Sequence, residues 1–166
     1  MASIPNTANR KAFLDMIAYS EIGPELLAVS DNGYNVIVGS TPSNPDLFHT
    51  YADHPRKLVR LSPTLSSTAA GRYQLLERYY DDYKASLGLP DFSPASQDII
   101  ALEQIKERGA LAAIDAGDFE TAVERCSNIW ASLPGASYGQ HTNAMDALKT
   151  AYVAAGGSLS ADDATT

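Results

Sequence analysis

The chain is 166 residues long and 45% hydrophobic, with a net charge of −8 at pH 7 and a single cysteine, Cys126. This is one domain's worth of sequence, with room for two lobes and a core that needs no covalent staple; an internal disulfide is excluded, and a lone cysteine suits a reducing compartment. The shortage of clustered Lys and Arg argues against a nucleic-acid partner, and no run of about 18 apolar residues offers a membrane-spanning helix.

The opening residues, Met1-Ala2-Ser3-Ile4-Pro5-Asn6, lack the basic stretch and apolar core of a signal peptide. Residues 8–20 are predicted helical. Phe13, Leu14, Ile17 and Ala18 follow the spacing of one buried stripe, Asn6 or Thr7 can cap the start, and Gly23-Pro24 ends it. Tyr34 to Gly39 is short, β-branched and partly alternating, so it reads as a strand. A turn-rich loop, Ser40 to Asp46, leads to a returning strand over Leu47 to Tyr51, giving a small sheet lobe over about 30–62. His54-Pro55-Arg56-Lys57-Leu58-Val59-Arg60 is the one basic cluster, either a site for an anionic group or a solvated turn. From Gly71 the pattern is helical, with Tyr73, Leu76, Tyr80 and Tyr83 on one face and a stop at Gly88. Ser93-Pro94 opens a helix carrying Ile99, Leu102 and Ile105. Asp118 can cap a helix holding Ala122, Val123, Cys126, Ile129 and Trp130. A loop from Ser132 to Gly139 precedes a last helix, Thr142 to Ala155, closed by Gly156-Gly157. Residues 158–166 read as a frayed, flexible polar tail. The expected class is α+β, mostly helical with one small antiparallel sheet, in a single domain over residues 1–157.

Two places stand out chemically. Glu21 lies at the end of the first helix, where the partial negative charge of the helix terminus disfavours an anion. Partial burial would raise its pKa further, which is what a general acid needs near neutral pH. An exposed glutamate in a frayed last turn is the alternative. The second place is Ser67-Thr68-Ala69-Ala70-Gly71-Arg72-Tyr73-Gln74. Its small residues would let another molecule approach the backbone, and Arg72, Tyr73 and Gln74 would supply donors to an uncharged, extended ligand such as a sugar chain. An acid at a helix end, a hairpin-like region and a small-residue turn follow the order of a lysozyme-type sugar cleft.

A glycosidase that activates water or forms a covalent intermediate needs a second carboxylate. Asp31, Asp46 and Asp53 are available, but none is singled out by its setting. One persuasive carboxylate points to chemistry that needs only one. Metal and nucleophile chemistries fail on counting: His49, His54 and His141 form no HExxH, and Cys126 has no CxxC partner and sits on an apolar helical face as a core residue. No GxSxG, Walker loop or GxGxxG is present. No cofactor or metal is expected. Tyr138 sits in a Gly-rich loop, where an aromatic ring could stack on a sugar.

Several blocks together resemble the lambda-type endolysin family, the phage lytic transglycosylases also called lambda lysozymes. They are Arg10 to Met16 with Ser20-Glu21, Gly33 to Gly39, Asp53 to Val59, Ala70 to Leu76, Gln104 to Leu111 and Arg125 to Gly135. The likeness runs from about Arg10 to Gly157. It implies a lysozyme-like fold with a cleft between a small sheet lobe and a helical lobe, and two loops, about 47–60 and 132–142, lining that cleft. It implies cleavage of the β-1,4 bond between N-acetylmuramic acid (MurNAc) and N-acetylglucosamine (GlcNAc) in peptidoglycan. Glu21 matches the family's acid. It would protonate the bridging oxygen while the muramic C6 hydroxyl closes on C1, giving a 1,6-anhydro product; the tethered hydroxyl replaces an activated water. Arg72, Tyr73, Gln74, Ser137 and Tyr138 are the expected substrate-binding residues. The 41–46 loop looks longer than the family's, and the acidity is unlike many wall-lytic enzymes.

Two other readings stand beside this one. A hydrolytic muramidase would use Glu21 and one of the aspartates, and a catalytically silent wall-binding module would use neither. The expected partners are peptidoglycan strands and, for release, a membrane-permeabilising holin without implied contact. The protein is expected to be a monomer that accumulates in the host cytoplasm and then acts on the periplasmic wall.

Overall fold

The computed structural model describes residues 8–134 and 144–164; Ser137, Tyr138 and His141 lie outside them. The chain forms two compact units, one made of the segments up to Glu21 and from Ala101 onward, the other of Ile22–Ile100.

The first unit is helical. Its centre is α1 (Ala8–Glu21), in which Ala12, Phe13, Leu14, Met16, Ile17 and Ala18 are fully buried. Apolar residues that nearly encircle a helix require neighbours on several sides. Here α1 packs against α5 (Leu111–Asp115) and α7 (Met145–Ala154), and α5 packs on α6 (Phe119–Cys126). The Phe119 ring links the layers, edge-on to Phe13 at 6.0 Å and tilted against Tyr152 at 4.7 Å. Burying each such side chain stabilises the fold by about 1.5–3 kcal/mol. Cys126 is buried on the apolar face of α6, as its position in the sequence predicts.

The tail differs from the expectation. Residues 158–160 are docked, and α8 (Ala161–Ala164) follows. The Ser158 amide donates to Asn9 Oδ1 (2.9 Å) and the Ser160 amide to the Gly117 carbonyl (2.9 Å). Gly117 must be glycine for this: its φ is +79°, and a Cβ there would lie 2.7 Å from the Ser160 nitrogen. Lys149 binds Glu120 (2.7 Å) and the Asp163 carbonyl (3.0 Å). Asp118 precedes α6 as predicted, but its side chain makes no cap. Asp163 supplies one instead, accepting the Glu120 amide at 3.1 Å. A polar sequence that looks frayed is thus held by hydrogen bonds to groups far away in the chain.

The second unit contains α2 (Pro24–Ala28), a hairpin of β1 (Val59–Ser62) and β2 (Leu65–Ser67), α3 (Glu77–Leu87) and the first half of α4 (Pro94–Glu107). Its core is Ile37, Phe48, Ala70, Leu75, Tyr80, Phe92 and Ile100. The Phe92 ring packs 5.0 Å from Tyr80 and 5.0 Å from His54. His54 is buried and neutral: its Nε2 faces the Leu75 carbonyl at 2.9 Å and its Nδ1 accepts the Arg56 amide, so Nε2 carries the proton. Burial lowers its pKa.

The sheet is not where the sequence puts it. Tyr34 to Gly39 and Leu47 to Tyr51 meet only at the isolated bridge Val36–Leu47. The regular pair is β1–β2, with Val59 opposite Ser67 and Ser62 opposite Leu65. Its exposed Leu61, Leu65 and Arg60 show no alternation of apolar and polar residues, so the usual strand signal is missing. The helix expected from Gly71 begins only at Glu77, because Gly71 (φ +87°) and Gln74 (φ +52°) adopt left-handed backbone that a helix cannot contain. The end at Gly88 is as predicted, left-handed and capping the Lys84 carbonyl. The basic cluster is engaged by neighbours: Arg56 pairs with Asp53, Glu77 and Asp81, Lys57 with Asp46, and Arg60 donates to the Ser62 and Pro63 carbonyls.

Candidate active site

Glu21 closes α1. The fully buried Ile17 and Ala18 fix the last turn, and Gly23, at φ +89°, turns the chain away into α2. A second element comes to it from far along the sequence. After α6, Trp130 (2% exposed) and Leu133 (0% exposed) anchor a tight turn, with the Leu133 amide on the Trp130 carbonyl at 3.0 Å. Between these two anchors, Ser132 is presented to Glu21, 111 residues away. Its hydroxyl donates to Glu21 Oε2, and its backbone N–H also bonds the carboxylate. The Ser20 hydroxyl lies 2.7 Å from the Ser132 hydroxyl. Since the Ser132 proton is directed to Glu21, Ser20 is the donor of that pair.

Burial pushes the Glu21 carboxyl up to about 6, against the opposing hydrogen bonds from Ser132. No charged group among the described residues contributes to that shift. A carboxyl in this condition is part-protonated near neutral pH and can deliver its proton to an oxygen placed beside it.

The second sequence signal resolves into a framework. Gly71 is approached closely by the chain's own Gln97, whose Oε1 would lie 2.5 Å from a Cβ at this position. That oxygen accepts the Arg72 amide at 2.9 Å, while Gln97 Nε2 donates to the Tyr34 and Phe92 carbonyls. Arg72 and Tyr73 were expected to face a ligand. They are 2% and 4% exposed. Arg72 donates to the Asn32 carbonyl and the Tyr73 hydroxyl, and its guanidinium lies over the Tyr34 ring at 5.3 Å. The hydroxyls of Tyr73 (2.5 Å) and Tyr34 (3.0 Å) both donate to the buried Asp98, which is fully enclosed. Burial drives both phenol pKa values upward. These side chains hold the loop together, and their donor groups are directed inward.

Gln74 keeps more freedom. Its Nε2 donates to the carbonyls of Gly71 (2.8 Å) and Val36 (3.3 Å), which fixes the amide orientation and turns Oε1 to another side. The group it leaves for other contacts is thus an acceptor, where the sequence suggests a donor. Its left-handed φ is a strain of the kind that marks functional positions.

The three aspartates weighed as second carboxylates all belong to the unit of residues 22–100 and are engaged there. Asp31 accepts the Tyr51 hydroxyl at 2.5 Å, Asp46 binds Lys57 at 2.8 Å, and Asp53 binds Arg56 at 2.8 Å. Of the residues that matter, sequence reasoning missed Ser132, Asp98 and Gln97. Asp98 and Gln97 look like ordinary polar residues of a helix, and nothing local marks Ser132.

The family model for endolysins matches residues 11–159. The chain is 57% identical to the endolysin of Escherichia phage lambda over 90% of its own length and 92% of the relative's. It is 45% identical to the endolysin of Escherichia phage P2, over 95% and 98%. Among solved structures it is similar to bacteriophage lambda lysozyme complexed with a chitohexasaccharide, with a TM-score of 0.85 and 54% identity, covering 95% of this chain and 99% of that one. Another structure of lysozyme from bacteriophage lambda gives a TM-score of 0.82 at the same identity and coverage. The mostly helical architecture with one small antiparallel sheet is thus the lambda lysozyme fold, and the chain belongs to the endolysin family.

Proposed function

We propose that this endolysin cleaves the β-1,4 bond between MurNAc and GlcNAc by lytic transglycosylation, leaving 1,6-anhydro-MurNAc ends, and so lyses the host cell. Endolysins are lysozyme-like enzymes that degrade peptidoglycan, and membership of the family makes this chain one. The step beyond that is the reaction type. The observation that carries it is the Glu21 carboxyl, raised to about 6 by burial, while Asp31, Asp46 and Asp53 are each bound to neighbours in their own unit.

Glu21 gives its proton to the bridging oxygen as the C1–O bond breaks. The C6 hydroxyl of the same muramic ring attacks C1, and its proton passes to the carboxylate, restoring the acid. The nucleophile is already tethered, so its effective concentration is high without a base to activate water. A complex of the lambda relative with a chitohexasaccharide supports a glycan strand as the ligand. Gln74 Oε1 accepts a sugar hydroxyl or acetamido N–H in this reading. Ser137 and Tyr138 remain proposed contacts, while Arg72 and Tyr73 serve by shaping the loop that carries Gln74. The protein works as a monomer, waits in the host cytoplasm and reaches the wall through a separate membrane-permeabilising holin.

Mass spectrometry of the muropeptides released from purified walls tests the reaction type. Anhydro-muramic ends are expected. Reducing muramic ends as the main product would replace this reading with a hydrolytic muramidase.

A further inference from the structure

We infer that Ser132 and Ser20 form a hydroxyl relay that positions the Glu21 carboxyl and sets the pH range over which it is an effective acid. This rests on the reading of Glu21 as the proton donor and adds two positioning residues to it.

The geometry is specific. Ser132 reaches one carboxylate with two donors, its hydroxyl to Oε2 and its own backbone N–H. The backbone N–H is fixed by the turn between the buried Trp130 and Leu133. The hydroxyl is a rotor, and a proton supplied to its lone pair favours the orientation in which it points its own proton at Glu21. Ser20, one residue before Glu21 on α1, lies 2.7 Å away to do this. The chain of donors therefore runs from Ser20 to Ser132 to Glu21. It begins and ends on the same helical turn and passes through a residue from a distant loop. Neighbouring hydrogen bonds of this kind strengthen one another in a low-dielectric setting.

The relay has two consequences for the acid. Holding Oε2 fixes the plane of the carboxyl, so the proton is presented in one direction. Donating to the carboxylate also favours the ionised form. Burial alone would make Glu21 a weaker acid, slow to part with its proton. The hydroxyl donors offset that effect and hold the group near the pH at which it can both give and retrieve a proton. No carboxylate or cation among the described residues contributes. The hydroxyls are thus the adjustable part of the site.

Ser132→Ala should move the Glu21 titration upward, by about one pH unit for one lost donor. Ser20→Ala should move it in the same direction by less. Ser132→Thr keeps the hydroxyl and should restore the original value. Two readouts are needed. Carbon NMR of glutamate-labelled protein follows the Glu21 carboxyl directly, without any need for turnover. The rate of lysis of purified walls as a function of pH follows the acid at work, and its alkaline limb should move up in both alanine variants while the low-pH rate falls. An unmoved titration in Ser132→Ala, with the alkaline limb also unmoved, would overturn the relay. Should Ser132→Ala fail to fold, an unmoved titration in Ser20→Ala would do the same. Glu21→Gln separates this from the underlying reading. If Glu21→Gln is inactive but the serine variants titrate like the parent, only the relay is wrong. If Glu21→Gln lyses walls normally, the acid assignment itself is wrong.

Discussion

Two desolvated acidic groups in this molecule follow opposite rules. In the unit of residues 22–100, Asp98 is fully enclosed and accepts hydrogen bonds from two tyrosines, one of which also binds the Arg72 guanidinium. In the helical unit, Glu21 is compensated by the hydroxyl and backbone N–H of Ser132, which in turn bonds Ser20, and by no charged group among the described residues. The first is a carboxylate surrounded by donors with a cation close by, an arrangement that holds a structure together. The second has been desolvated without full compensation, and the deficit appears as a carboxyl that keeps its proton to about pH 6. Burial alone does not distinguish the two groups; the degree of compensation does.

The largest expected effect lies at the under-compensated group. Glu21→Gln keeps shape and removes the transferable proton, so lysis of purified walls should fall by roughly 10²–10⁴-fold with the circular dichroism spectrum unchanged. The matching change at the satisfied group should act on stability. Asp98→Ala leaves two tyrosine hydroxyls buried without their acceptor, at a cost of about 1–3 kcal/mol for each in denaturant unfolding. A loss of less than about 1 kcal/mol, the size of a surface substitution's effect, would show that the network is not structural.

The two regions should also differ in what pH does to them. The Glu21 carboxyl rises from 4.5 to about 6 on folding, so its protonation favours the folded state. That contribution is complete below about pH 4.5 and is lost as pH rises through about 6. Glu21→Gln should therefore match the parent's stability near pH 4 and exceed it by up to about 2 kcal/mol above pH 7. A constant difference between variant and parent across pH would contradict the uncompensated-burial account.

The sequence carries the helical frame well and the site unevenly. The stripe of Phe13, Leu14 and Ile17, the Ser93-Pro94 start and the Gly88 stop are local signals with local causes, and each appears in the structure. Glu21 could be singled out because its position at the end of α1 follows from that same periodicity. Ser132 could not, since its contact depends on Trp130 and Leu133 closing a turn more than a hundred residues away. The tail reads as frayed for the same reason: its partners, Asn9, Gly117 and Glu120, are all distant in sequence. Gly71-Arg72-Tyr73 is conspicuous in the sequence for its glycine and its donors, but those donors turn inward. The close approach that glycine permits is made by Gln97 of the same chain.

The smallest expected effects are at the other carboxylates. Asp31→Asn, Asp46→Asn and Asp53→Asn should each lower wall lysis by no more than a few-fold, since a tethered sugar hydroxyl needs no activated water. A loss from any one of them as large as that of Glu21→Gln would supply the missing second carboxylate and favour hydrolysis.

The central claim is that Glu21 acts as the sole carboxyl acid and the sugar provides its own nucleophile. Digestion of purified peptidoglycan in heavy-oxygen water, followed by mass spectrometry of the new muramic ends, tests this most directly. The account predicts anhydro ends without the heavy label, because the closing oxygen comes from C6 of the sugar. Reducing muramic ends carrying the heavy oxygen would contradict it.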